Sequence, residues 1–253
     1  MKGLFIKYKI WFLTIIIVFS LLLIISIVRF VFASHAVKAT ISQQNLVTTD
    51  ENSIEPGWDN AEIRQKKKEV YWLEQQLLLA KSDSITLGFN LADSIVQVQL
   101  KGTVLFQGKI LKLYPSPFME SLNYKAYTDF AKIAVITSEY SGFPKKPIKK
   151  VIAPKSENEV TTVKQDTVIE KRLYWKFNLS NNMNVVLTGV ELNKDSVLDL
   201  RFENDMLKYR SEQIKQEWLP KEYIPTLYLW LPDKDAKAIY RALPEKGKVI
   251  FRN

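Results

Sequence analysis

The residue types that carry most protein chemistry are nearly missing from this chain. Among 253 residues there is no cysteine and a single histidine, His35, beside an apolar segment. Thiolate attack, disulfides and cysteine-ligated metals are therefore excluded, and so is a histidine base anywhere in the main domain. Glu120, Glu139, Asp195 and Asp199 are scattered, and no two are spaced as an acid–base couple, so they read as surface charge. The sequence holds no Gly-rich phosphate loop, no metal-ligand spacing and no nucleophile elbow. It assigns no catalytic residue, no metal and no cofactor. A hydroxyl–lysine enzyme built on Ser, Thr or Tyr remains conceivable, but no residue pair identifies itself.

Two groups of residues have binding chemistry instead. Lys145, Lys146, Lys149 and Lys150 form the densest positive patch. Such a run meets an anionic envelope polymer or a lipid surface, or is simply a solvated loop. Trp175, Trp218 and Trp230, with Tyr223 and Tyr228, either line a groove or fill a core. The net charge is +9, and Lys2, Lys7, Lys9 and Arg29 supply four of these charges within the first 32 residues. The remainder is spread thinly, with no basic stripe interleaved with aromatics, so no nucleic-acid partner is expected. Asn178-Leu179-Ser180 matches the glycosylation sequon, a frequent chance match.

The elements that would position these groups begin with a membrane segment. Ile10 to Val28 is free of charge over 19 residues, and Phe30 to Phe32 extend it past Arg29. At about 1.5 Å per residue this nearly crosses the hydrocarbon core. It is longer than the usual apolar region of a secretory signal, although Ser34-His35-Ala36 and Val37-Lys38-Ala39 resemble cleavage sites. Lysines precede the segment while Asp50, Glu51 and Glu55 follow it. The positive-inside rule then makes 1–9 cytoplasmic and 10–32 transmembrane, with the rest extracytoplasmic (periplasmic) in a single-pass inner or plasma membrane protein.

Residues 33–57 read as a polar linker ending at Glu55-Pro56-Gly57, and 58–82 as a stalk helix. On that helix Ile63, Val70, Leu73, Leu77 and Ala80 fall near heptad positions, with Lys66 interrupting. The face packs either on the chain's own domain or on a partner. From residue 83 the apolar period becomes two. Ile85 to Leu91 alternates, and Ile95–Leu100 and Thr103–Ile110 form a hairpin around Lys101-Gly102. Ile133–Thr137, Leu173–Leu179, Val185–Val190, Thr226–Leu231 and Lys248–Phe251 read as further strands. A polar helix is expected from Glu203 to Trp218 and a short one from Asp233 to Leu243. Residues 141–167 read as a long loop. The class is α+β: one transmembrane helix, then a β-rich domain over 83–253 with a few short helices.

The C-terminal third carries a resemblance. Tyr223-Ile-Pro-Thr-Leu-Tyr-Leu-Trp-Leu-Pro-Asp-Lys-Asp235-Ala236, then Ala238-Ile-Tyr240 and Leu243-Pro-Glu-Lys-Gly247-Lys-Val-Ile250, resembles the end of an L,D-transpeptidase catalytic domain. The hairpin at Ile95 to Ile110 is similar to that family's opening hairpin, and the resemblance covers about residues 84–253. It implies that Thr188-Gly189 and Thr226-Leu227-Tyr228, with Trp230, sit at one cleft. The family's nucleophilic cysteine would fall at Tyr228, its His-Gly at Thr226-Leu227, its arginine at Trp230 and its other histidine at Thr188. With those residues gone the resemblance implies a pseudoenzyme. Thr188, Gly189, Thr226, Tyr228 and Trp230 are the candidate cleft, and peptidoglycan or an envelope protein is the expected partner. The alternative is a bitopic scaffold of an envelope complex that uses the 58–81 helix.

Overall fold

Between Gly3 and Pro56 the chain contains no glycine and no proline, so nothing in the sequence stops a helix that starts in the apolar segment. The computed structural model describes residues 2–46, 55–142, 144–145, 171–192, 198–216, 218–219 and 222–253. In it the first helix, α1, runs unbroken over Lys2–Leu46. Among the described residues it is the one helix long and apolar enough to cross a membrane. The linker expected over 33–57 is corrected at its first half. Ala33, Ala36 and Thr40 lie on a small-residue stripe that lets α1 lie against the domain, with Ala36 buried and Ile41 packed on the main core. Asn45 secures the end of that contact, accepting from Asn123 N at 3.1 Å and donating to Ser121 O at 3.4 Å.

The second helix, α2 (Ala61–Ala80), starts where Asn60 accepts hydrogen bonds from Glu62 N and Ile63 N. It packs on the domain, but with the face opposite to the heptad stripe. Lys68, Tyr71, Trp72, Gln75 and Leu79 are buried, while Val70, Leu73 and Leu77 are 51–68% exposed. The buried face thus carries two aromatics, Tyr71 and Trp72, with Leu79. Lys68 comes along at 1% exposure, with its Nζ 3.6 Å from Glu120 and over the Tyr127 ring at 5.2 Å. Burial lowers its pKa, opposed by the Glu120 charge.

Nine strands form one mixed sheet among the described residues. They are β1 (Ile85–Asn90), β2 (Ile95–Leu100), β3 (Thr103–Lys109), β4 (Lys112–Tyr114), β5 (Ala134–Ser141), β6 (Tyr174–Leu179), β7 (Asn184–Val190), β8 (Thr226–Pro232) and β9 (Lys248–Arg252). Their order is β3-β2-β1-β9-β5-β6-β7-β8-β4. Pairs β1–β9 and β7–β8 are parallel, and the rest are antiparallel. The β2–β3 turn has Lys101 and Gly102 both at positive φ, the backbone of a type I′ hairpin. Strand β5 is the fold line. Ala134 and Val135 pair with β9, and residues from Ile136 onward pair with β6. The sheet doubles over there, and its inner face encloses Leu87, Phe89, Val98, Trp175, Phe177 and Leu229 in one core. Helix α5 (Asp233–Ala242) packs Ala236, Ile239 and Tyr240 into that core.

Three short elements carry no clear signal in the sequence: β4, a 3-10 turn at Pro117–Glu120, and α3 (Tyr124–Phe130) capped by Asn123. The polar helix is α4, Leu198–Gln216, and it starts earlier than the sequence predicts. The loop expected over 141–167 lies almost wholly outside the described residues.

The orientation of α2 gives a direct test. In the full chain in detergent, Leu73→Asp is expected to leave the melt within about 0.5 kcal/mol of the parent, because the site is exposed. Trp72→Ala is expected to cost about 3–5 kcal/mol through the cavity it opens. A large loss with Leu73→Asp would show that the aliphatic stripe is the buried face.

Candidate functional site

The candidate cleft is built on the parallel pair β7–β8. In register, Val186 lies beside Tyr228, Thr188 beside Trp230 and Val190 beside Pro232. Strand side chains alternate between faces, so Thr188, Tyr228 and Trp230 share the outer face of the sheet. Thr226 has the same parity but sits at the start of β8 opposite Asn184, where its hydroxyl donates to Ile224 O. Gly189 points the other way. A Cβ added there would lie 2.0 Å from the Asp233 carboxylate, so the position admits only glycine, and Asp233 accepts from Leu173 N at 2.8 Å. Three of the five cleft residues thus come together, a fourth lies along the strand, and Gly189 serves the packing of α5.

Helix α4 fills the space above those three. Phe202, Met206 and Tyr209, spaced four and three apart, press onto Val186, Val190, Tyr228 and Trp230 as a second small core. The Thr188 and Tyr209 hydroxyls are 2.6 Å apart. Trp230 Nε1 donates to Asp205 Oδ2 at 3.1 Å, and Arg201 holds the same carboxylate at 3.2 Å. Gln213 Nε2 donates to Tyr228 OH at 3.0 Å, and Tyr209 stacks on Tyr228 with centroids 5.3 Å apart. Thr188 is 4%, Tyr228 9% and Trp230 0% exposed. Burial raises the pKa of Tyr209, and it raises that of Tyr228 against the opposing hydrogen bond from Gln213. These phenols stay protonated far above neutral pH and act as hydrogen-bonding core residues, not as bases.

Open space begins where α4 ends its cover. A groove of about 610 Å³ lies between Lys208, Tyr209 and Glu212 of α4 and the outer faces of β5 and β6, which present Ser138, Tyr140, Tyr174, Lys176 and Asn178. A bulge between Ile136 and Ser138 resets the alternation of β5, turning Tyr140 outward and Glu139 inward. Four tyrosines then run in a row. Centroid distances are 6.2 Å from Tyr140 to Tyr174, 5.6 Å from Tyr174 to Tyr209 and 5.3 Å from Tyr209 to Tyr228. Tyr140 is 66% exposed, at the open end. Burial pushes the Tyr174 phenol up to about 12. The strand alternation Tyr174, Lys176, Asn178 was the available signal for this groove, but the bulge hid Tyr140.

The chain matches no family model, no curated protein and no solved structure. The remaining sequence candidates disperse. Trp175 is a core residue whose Nε1 donates to Glu139 at 2.9 Å. Tyr223 shares a hydrogen bond of 2.7 Å with Ser116, and Trp218 lies against α1. Lys145 pairs with Glu139 at 2.9 Å and sits over the Tyr240 ring at 5.0 Å, so it belongs to an ion pair instead of a free basic patch. Lys146, Lys149, Lys150 and Asp195 lie outside the described residues, as does the side chain of Asp199. Glu120 accepts from Asn253 at 2.9 Å. Among the described residues no cluster of His, Asp and Glu is placed to hold a metal ion.

The Thr188–Tyr209 contact can be measured as a cycle. Thr188→Val leaves the Tyr209 hydroxyl buried without its partner and is expected to cost about 1–3 kcal/mol in denaturant unfolding. Adding Tyr209→Phe should recover part of that loss, because both polar groups are then gone. Additive losses would mean the two hydroxyls do not interact.

Proposed function

We propose that this chain is a membrane-anchored, catalytically inactive domain of the cell envelope, and that it binds cell-wall material in the groove beside α4. A protein partner is the other occupant such a groove admits. Helix α1 is the anchor, with residues 1–9 in the cytoplasm and the β-rich domain outside. The fold is read as L,D-transpeptidase-like. That reading is supported by the adjacency of β7 and β8 and by the shared face of Thr188, Tyr228 and Trp230. Where the resembled family keeps a cysteine and two histidines, this chain has Tyr228 and Thr188 buried under its own helix and Thr226 at the start of β8.

The observation that carries the binding reading is the tyrosine row, open at Tyr140 and closed at Tyr228. Exposed phenol rings offer flat apolar faces to sugar rings, and their hydroxyls stay available for hydrogen bonds. Lys176, Lys208 and Glu212 offer both signs of charge to a peptide that carries amine and carboxylate groups. A second reading has its own support. The outward face of α2, with Val70, Leu73 and Leu77 exposed, suits a bitopic scaffold that docks another envelope protein there.

One experiment separates the readings. The full chain in nanodiscs is mixed with purified peptidoglycan fragments, and binding is followed by calorimetry. Tyr140→Ala and Tyr174→Ala should each weaken binding about tenfold, roughly 1.4 kcal/mol. Leu73→Asp should leave it unchanged. No measurable binding by the parent chain removes the groove reading and makes the α2 scaffold the better one. Orientation is tested separately. Alkaline phosphatase fused after Asn253 is expected to be active in cells, and an inactive fusion beside an active cytoplasmic reporter reverses the topology.

A further inference from the structure

Six tryptophans occur in the chain. Trp72, Trp175 and Trp230 are buried and Trp58 is half-buried, packed against the core. The two that remain exposed are Trp11, at 69%, and Trp218, at 57%. Trp11 stands at the start of the apolar stretch of α1. Trp218 follows the end of α4 and is far from Trp11 in sequence, yet it is fastened to the same helix. Arg29 Nη1 donates to the Trp218 carbonyl at 2.9 Å.

The heights along α1 fix where that puts Trp218. From Trp11 to Arg29 the helix rises about 27 Å at 1.5 Å per residue. A hydrocarbon core is about 30 Å thick and takes about 20 helical residues, and twenty counted from Ile10 end at Arg29. The contacts above Trp218 climb away from that level. Thr40 reaches the Tyr223 carbonyl at 3.5 Å, about 16 Å higher on the axis. Trp218 and Tyr223 therefore meet α1 at two heights, Tyr223 at the higher one. Asn45 then meets Ser121 and Asn123 higher still. Trp218 is the lowest of these contacts, and Lys215, exposed in the last turn of α4, precedes it by three residues.

We propose that Trp218 is an interfacial anchor: its indole lies in the headgroup layer of the bilayer that α1 crosses, on the side opposite Trp11. The two exposed indoles then mark the two membrane–water boundaries. An indole suits that layer, with an apolar ring and one N–H donor. Arg29 extends from the edge of the hydrocarbon toward the same layer and binds the carbonyl of the residue it meets there. The partner is the lipid interface itself, continuous with the α1 span. Three attachments along α1 together with this one hold the domain close to the bilayer and fix its orientation, including the side to which the tyrosine groove opens. The inference rests on the anchor reading of α1.

The absence of cysteine makes the test direct. Single cysteines are placed in the full chain at Ile24, Trp218 and Leu207, labelled with an environment-sensitive fluorophore, and reconstituted in phosphatidylcholine–phosphatidylglycerol vesicles. The label at 24 should be quenched by lipids carrying a deep nitroxide. The label at 218 should be quenched by a shallow nitroxide roughly threefold or more above the label at 207, which faces water. A label-free version uses brominated lipid. It should quench the emission of Trp11 and Trp218, so Trp218→Phe should remove about half of the quenchable signal. A lipid-embedded label at 24 with an aqueous label at 218, or a quenchable signal unchanged by Trp218→Phe, overturns the interfacial anchor and leaves the span standing. An aqueous label at 24 overturns the span and the anchor with it.

Discussion

Strand β8 is buried on both faces, and most of the domain is arranged by that constraint. Leu227, Leu229 and Leu231 are at 0% exposure toward the inner core, while Tyr228 and Trp230 fill the outer side. A strand apolar on both sides needs a layer above and a layer below. The folded-over sheet supplies the layer below, and α4 supplies the layer above. Each fully buried leucine contributes about 1.5–3 kcal/mol relative to its exposed state, so three in one strand outweigh any single polar contact nearby. The parallel pairing with β7 follows from the same demand, because it sets Val185 and Leu187 beside the leucines in register.

Covering β8 with a helix creates a second requirement, since Thr188, Tyr228 and Trp230 bring polar atoms into that layer. Each finds a partner on α4: Tyr209, Gln213 and Asp205 respectively. The spacing 205, 209, 213 repeats every four residues, so all three partners stand on one face of the helix. Removing any one leaves a donor or acceptor in a dry layer, where such a group costs more than the bond is worth in water. The polar set therefore fixes the register of α4 over the sheet, while the apolar set Phe202, Met206 and Tyr209 supplies most of the contact. Asp205 is held from the other side by Arg201, which keeps a buried carboxylate compensated.

Much of the β domain is legible in the sequence because a period of two needs only local information. The β2–β3 hairpin, the β6–β7 hairpin around Ser180-Asn181-Asn182, strand β8 and helix α5 stand within a residue or two of where alternation and turn residues put them. Three failures share a cause. Helix α1 outruns its apolar stretch because Ala33, Ala36 and Thr40 gain a neighbour that only the folded domain provides. In α2 two apolar faces compete, and the winner depends on the shape of the sheet it meets. In α4 the exposed Leu200, Leu207 and Ile214 form a stripe as regular as the buried one, and the sequence cannot rank them. Three of the five candidate cleft residues could be brought together from the sequence, but not the helix that covers them.

The reach of α4 also explains the groove beside it. Helix α4 lies over β7, β8 and β4, and the sheet continues past it to β6 and β5. Those last strands are apolar only inward: Trp175, Phe177 and Leu179 point to the core, while Tyr174, Lys176 and Asn178 point out. Beyond Tyr174 the outward residues Lys176 and Asn178 line the open groove together with Lys208 and Glu212 of α4. The cover ends at Tyr174, the last outward ring that α4 reaches, and Tyr209 is the α4 residue that stacks on it at 5.6 Å. The tyrosine row is the seam where a dry layer turns into a wet one. Its inner members are structural and its outer member, Tyr140, has no layer above it. Tyr140, the most exposed of the four rings, is thus linked through Tyr174 and Tyr209 to Tyr228 on β8.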